Sequence, residues 1–213
     1  QVALRMTQYE IECYGVTSSY LGGSMSNQLI LDSLQRRMKA LFSLYDDAID
    51  SMDLEHVNHF EREGVVPIAF CLFHYANVHD ASFMLLSGQP PLWNDEWQAR
   101  VGLTINDHGK HRTVDEMIHQ RIGDLDAFAE YMRAVYARTS AWLEQLDPSE
   151  LERVVIPRPF PPQIATTFSA RVAGEQGVTV LDGVECWLYQ HGLRHMGEIE
   201  MARGLVGLGG MTS

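Results

Sequence analysis

The sequence predicts an all-α four-helix bundle with an irregular or short β-hairpin excursion before the last helix. Apolar residues recur at steps of three and four in long stretches, which is the period of an amphipathic helix. Long connections separate some of these stretches, as in bundles with crossover loops, and a cluster of prolines interrupts the pattern ahead of the last one. The 213 residues, 46% apolar and 21% charged, suit one globular domain.

Residues 1–24 read as an N-terminal extension, mixed in polarity and closed by the linker-like Gly22-Gly23-Ser24, and residues 25–213 as a single domain. Ser26 is the expected N-cap of the first helix, whose apolar face is Ile30, Leu34, Met38, Leu41, Phe42, Tyr45 and Ile49. After the polar stretch 53–64, a second helix opens at Pro67, a favoured first-turn position, and stops near Gly88 before Pro90-Pro91. Nearly every position over 65–86 is apolar, broken chiefly by His74, Asn77, His79 and Asp80, so burial around most of that helix is expected. An irregular connection over 88–112 precedes Thr113 and Glu116, which have the spacing of a capping box. Gly123 separates that short helix from the third long one, marked by Leu125, Phe128, Met132, Val135, Tyr136, Trp142 and Leu143. Five prolines from Pro148 to Pro162 forbid a long helix over 147–178. Residues 164–172 and 178–181, around Gly174 and Gly177, suit a short hairpin or an extended excursion. The last helix is expected to start near Thr179 or Asp182 and reach about Val206.

Charge excludes some partners. The chain has 28 Asp and Glu against 16 Lys and Arg, a net charge of −12, and no basic cluster beyond Arg36-Arg37. Nucleic acid and anionic membrane surfaces both draw proteins through clustered Lys and Arg, so neither is an expected partner. The longest apolar run, 65–73, is far short of the roughly 18–20 residues that cross a bilayer. No basic-then-apolar leader is visible, and three unpatterned cysteines, Cys13, Cys71 and Cys186, suit a reducing cytoplasm better than a disulfide scaffold.

Nine histidines are the unusual feature. His191 and His195 lie four apart on the helical row Val184, Leu188, His191, His195, Ile199, Ala202, so two imidazoles occupy an otherwise apolar stripe. Such imidazoles are either hydrogen-bonded core residues or ligands for a metal. Position 192 is Gly, not the Glu of the zinc-protease helix motif, which removes the obvious general base. His74 falls on a second apolar row, Cys71, His74, Val78, Ala81, Leu85, while His79 is about 140° further around the same helix. His108, His111 and His119 have polar neighbours, which suits solvated positions. A ferritin-like di-metal site needs paired Glu-x-x-His motifs, and only Glu116–His119 has that spacing.

The strings His74-Tyr-Ala-Asn-Val-His79-Asp80 and His191-Gly-Leu-Arg-His195-Met-Gly-Glu-Ile199, with the trailing Ala202-Arg-Gly-Leu-Val-Gly-Leu-Gly-Gly210, resemble the DinB-like superfamily. Leu92-Trp-Asn-Asp-Glu-Trp97 followed by Arg100-Val-Gly-Leu103 is similar to the loop after the second helix in its mycothiol-related branch. The resemblance covers roughly residues 28–210. It implies a four-helix bundle of DinB-like type, often a homodimer, with three side chains holding a divalent metal at one end; carried over, these are His74, His191 and His195. It also implies chemistry with small thiols such as mycothiol or bacillithiol, as transferases or isomerases. His79 is a departure, since similar sequences often carry an acid there.

Three neutral imidazoles suit a divalent transition metal, zinc or nickel first and iron or cobalt next, and leave a coordination position for thiol or water. With the resemblance, the expected function is a metal-dependent thiol S-transferase or isomerase acting on a small-molecule thiol and an electrophilic substrate. The competing readings are a non-enzymatic metal-binding or dimerisation module and, behind it, a metal-dependent hydrolase. Glu198, close to one turn beyond His195, reads either as a surface acid or as the hydrogen-bond partner of a ligand imidazole. Cys71 reads as a small buried hydrophobe. Trp93 and Trp97 suit either a pocket wall or a staple holding their loop to the bundle.

Overall fold

The computed structural model describes residues 21–211, so residues 1–20 of the expected extension lie outside the described part. Helix α1 spans Leu21–Asp50 and starts ahead of the expected Ser26 cap, because a nucleated helix propagates over further residues at little cost. A short α2 (Leu54–Asn58) caps on Asp53 and occupies the polar stretch read as a connection. Helix α3 (Ile68–Ser87) follows Pro67 and ends on Gly88 in the left-handed conformation, φ 74°. Most of its residues are buried, His79 and Asp80 among them, as the dense apolar pattern requires.

The connection after α3 is more ordered than its composition suggests. It holds α4 (Asp95–Val101), capped by Asn94, with Asp95 and Glu96 in the first turn and left-handed Gly102 at its end. The Thr113–Glu116 capping box starts α5 (Val114–Met117), and Asp124 caps α6 (Leu125–Gln145).

The excursion carries the expected short antiparallel pair, with its first strand earlier in the chain than the sequence suggested. A 3₁₀ turn, Pro148–Glu152, leads into β1 (Val154–Pro157), which pairs antiparallel with β2 (Gly177–Thr179), Ile156 opposite Val178. Residues 164–172, read as one arm of the hairpin, instead contribute to the short helices α7 (Pro162–Ala165) and α8 (Phe168–Val172). Proline forbids helix interiors but is welcome in a first turn, which is where Pro162 sits. The Arg158 guanidinium pins this loop by donating to the carbonyls of Ala170, Ala173 and Gly174.

The last helix is continuous but not uniform. A Thr179–Asp182 capping box opens α9 (Val180–Gly183), a π-helical stretch follows over Val184–Tyr189, and α10 runs Gln190–Leu205. A π turn winds less per residue than an α turn, so this stretch rotates His191 and everything after it relative to the capped start.

The four long elements, α1, α3, α6 and α9–α10, pack around a common core that includes Leu34, Tyr45, Phe73, Tyr75, Phe128 and Leu188, each 1% exposed or less. Phe42 stacks on Tyr136 with centroids 4.2 Å apart, and Tyr45 on Tyr75 at 4.6 Å. Asp80, wholly buried, accepts from the backbone N–H groups of Leu92 and Trp93 and from the Tyr131 hydroxyl, and pairs with Arg138. This carboxylate ties α3, α6 and the loop before α4 together. Trp93 and Trp97 pack on Tyr131, so both staple the loop. Among the described residues no helix is long and apolar enough to cross a membrane.

Candidate metal centre

His74 on α3 and His191 and His195 on α10 meet where these two helices pack. Each offers one nitrogen, and the three ligand atoms lie within 4.8 Å of one another. Ring centroids are 4.9 Å apart for His74–His195, 5.3 Å for His74–His191 and 4.6 Å for His191–His195. His195 is buried, and the other two are half-buried on its solvent side.

Gly192 makes this approach possible. A Cβ there would stand 2.6 Å from the Tyr75 ring and hydroxyl and 2.6 Å from a Leu41 methyl, so any side chain would push α10 off α3. The Tyr45 hydroxyl donates to the Gly192 carbonyl and that of Tyr75 to the Leu188 carbonyl, both at 3.0 Å, fixing the backbone on either side of His191.

Hydrogen bonds settle which ring nitrogens face inward. His195 Nδ1 donates to Glu198 Oε2 at 2.7 Å, and His74 Nδ1 donates to the backbone carbonyl of His108. Both partners only accept, so Nδ1 carries the proton and Nε2 keeps its lone pair in each neutral ring. His195 Nε2 and His191 Nε2 are 2.9 Å apart, near the spacing of about 3 Å between adjacent nitrogens on one small ion.

Burial also keeps these rings neutral. It draws the His74 pKa down to about 4 and that of His191 further still, with the neighbouring imidazoles and the Arg194 charge adding to the effect. Burial lowers His195 too, against the opposing pull of Glu198. Three neutral imidazoles, two of them fixed by acceptors behind the ring, are a donor set that divalent transition metals take, so these residues fit such an ion.

A second donor group, Cys71, His195 and Glu198, overlaps the first. Burial, and then the Glu198 charge, push the Cys71 thiol well up, so it stays protonated and donates to Glu198 Oε2 at 3.5 Å. Without a metal, Cys71 is thus a small buried residue whose protonated thiol helps hold Glu198.

The remaining histidines fall elsewhere. His79 is wholly buried on another face of α3, between the Tyr75 hydroxyl and Thr139 Oγ1, and is no part of the cluster. His108 joins through its main chain, which the sequence could not signal because any residue offers a carbonyl. Its loop is held by Asp107 bonding Arg112 and the Gly109 N–H.

A cavity of about 340 Å³ opens beside His74 and His191. One wall is the His74 row of α3, Val78 and Leu85, which runs from core to rim. The lining also takes Ile164 and Phe168 from the proline-rich excursion and Trp187 from the π-helical stretch.

Fold and site together define a helical bundle whose second and last long helices present a histidine cluster able to hold a metal. The chain belongs to the DinB superfamily, which it matches over residues 37–199. It is also similar to a crystal structure described as the conserved protein of locus from Enterococcus faecalis. Identity is 17%, coverage is 83% of this chain and 96% of that one, and the TM-score is 0.65. At that identity the likeness speaks for the fold. No curated protein matches.

Proposed function

We propose that the protein is a metal-dependent thiol S-transferase or isomerase, with His74, His191 and His195 as the ligands of a divalent transition ion, zinc or nickel first. The observation that carries this reading is the convergence of three neutral imidazole nitrogens at the edge of a cavity large enough for a small molecule. A bound ion of this kind supplies Lewis acidity that draws the pKa of a thiol toward neutrality. Glu198 and the His108 carbonyl hold His195 and His74 in one tautomer and one orientation. In a transfer, the thiol gives its proton to solvent and its sulfur pair forms the new bond to carbon. The leaving group departs with the electrons of the bond that breaks. The reading takes a small thiol and an electrophile as partners and a homodimer as the assembly.

Metal content of the wild type and of His191→Ala, purified from metal-replete medium, tests the centre. Stoichiometric metal in the first and none in the second is expected, and a metal-free wild type sinks it. Transfer assays with mycothiol, bacillithiol and glutathione then test the chemistry. Activity with none of them, in a metal-loaded protein, favours a binding module instead.

A further inference from the structure

The cavity beside the histidines is charged against the trend of the molecule. The chain carries a net charge of −12, yet no carboxylate lines the cavity, and its two charged residues, Lys110 and Arg194, are both cations. Elsewhere among the described residues Arg37, Arg112, Arg133, Arg138 and Arg153 each meet a carboxylate, Arg121, Arg158 and Arg203 bond main-chain carbonyls, and Arg36, Lys39 and Arg171 meet neither. Among the described residues Lys110 and Arg194 are in no ion pair. The rest of the cavity is mainly apolar, and Leu85 and Phe168, 46% and 50% exposed, stand at its wall uncovered by protein. Two unpaired cations in the lining of a mainly apolar cavity call for a ligand with one anionic end and one apolar body.

We propose that this cavity binds a small apolar carboxylate, its anionic end held by Arg194 and Lys110 and its body laid against Leu85, Phe168 and Trp187. A guanidinium fork matches a carboxylate at two points, while the ammonium adds a movable point charge. Low-molecular-weight thiols are polar throughout, so the apolar carboxylate is the electrophilic co-substrate. That assignment rests on the thiol-transfer reading, whereas the binding of the anion does not. A volume of about 340 Å³ has ample room for an aromatic or short aliphatic acid.

The test uses 3-phenylpropanoate as an unreactive probe, titrated into the full chain as purified and again after metal is stripped by a chelator that is then removed. Binding is read by calorimetry and by the fluorescence of Trp187, with Trp187→Phe marking its share of the signal. Saturable binding is expected in both preparations, at least tenfold weaker for 3-phenylpropanamide and for inorganic phosphate. At least tenfold loss is expected in Arg194→Gln/Lys110→Gln, whose exposed side chains leave folding, checked by circular dichroism, unchanged. Acid and amide binding alike, undiminished binding in the folded double variant, or no saturable binding in the wild type each overturn the proposal. Binding that survives metal removal in a protein without thiol-transfer activity sinks the thiol reading alone and leaves the anion site standing.

Discussion

Glu198 Oε2 lies 2.7 Å from His195 Nδ1, and this bond turns the other ring nitrogen of His195 toward His191. A carboxylate behind an imidazole fixes its tautomer and raises its basicity, and losing such a partner typically weakens metal binding 10–100-fold. Glu198→Ala is therefore expected to weaken metal binding by roughly that factor, with Glu198→Gln intermediate because its amide oxygen still accepts from Nδ1–H. The side chain is half exposed, so thermal stability of the metal-free protein should barely change. Competition against a chromophoric chelator measures the affinity, and a value within twofold of wild type refutes the role.

The parts of this centre that share one helix were legible in the sequence. His191 and His195 are four apart on a row in which Val184, Leu188 and Ile199 are buried and Ala202 partly so, and the imidazoles stood out against that periodic background. His74 was legible as a polar break in an apolar row, but its meeting with α10 is a tertiary fact and entered through the family resemblance. What escaped was carried by main chain or by distant contacts. The His108 carbonyl has no side-chain signature, and Ile164 and Phe168 reach the cavity only because β1 and β2 fold the excursion back. Helix α4 was written as Asn94, Asp95, Glu96 and Gly102, a complete set of start and stop signals that its short length obscured.

Gly192→Ala tests the close approach of α10 to α3. The added methyl meets Tyr75, which is fully buried and hydrogen-bonded to Leu188, so it cannot step aside cheaply. Overpacking of this kind costs about 1–3 kcal/mol, offset by about 1 kcal/mol from the better helix propensity of alanine. A net loss of up to about 2 kcal/mol is expected in urea unfolding, together with weaker metal binding as His191 and His195 move outward. Unchanged stability and unchanged affinity together would show that the contact has slack.

Removing the carboxylate of Asp80 is expected to be the more damaging change. It is wholly buried and serves Arg138, Tyr131 and two backbone N–H groups at once. Deleting one partner of a buried ion pair typically costs about 3–5 kcal/mol, because the other charge is left without compensation. Asp80→Ala should lose stability in that range, and hydrogen exchange at the Leu92 and Trp93 amides should accelerate. Asp80→Ala/Arg138→Leu should lose less than the single variant, since no orphaned cation remains; an equal or greater loss would assign the stability to the backbone contacts instead.

His79 sets a pH dependence that can be separated from the metal centre. Burial, followed by the Arg138 charge, pulls its pKa from 6.5 down to about 3. The unfolded chain therefore binds a proton at this ring below pH 6.5 that the folded chain refuses until about pH 3. Stability from the neutral ring is complete above pH 6.5 and is lost progressively as pH falls toward 3, at up to about 1.4 kcal/mol per pH unit for one proton. His79→Gln keeps an amide to meet Thr139 and Tyr75 but does not titrate, so it is expected to be less stable at pH 7 and to show a shallower slope between pH 6.5 and 4.5. Urea unfolding of metal-free wild type and variant at intervals over that range measures both slopes. Because His74 and His191 are present in each protein, the difference between the slopes belongs to His79, and parallel slopes would show that this ring is already protonated in the folded state.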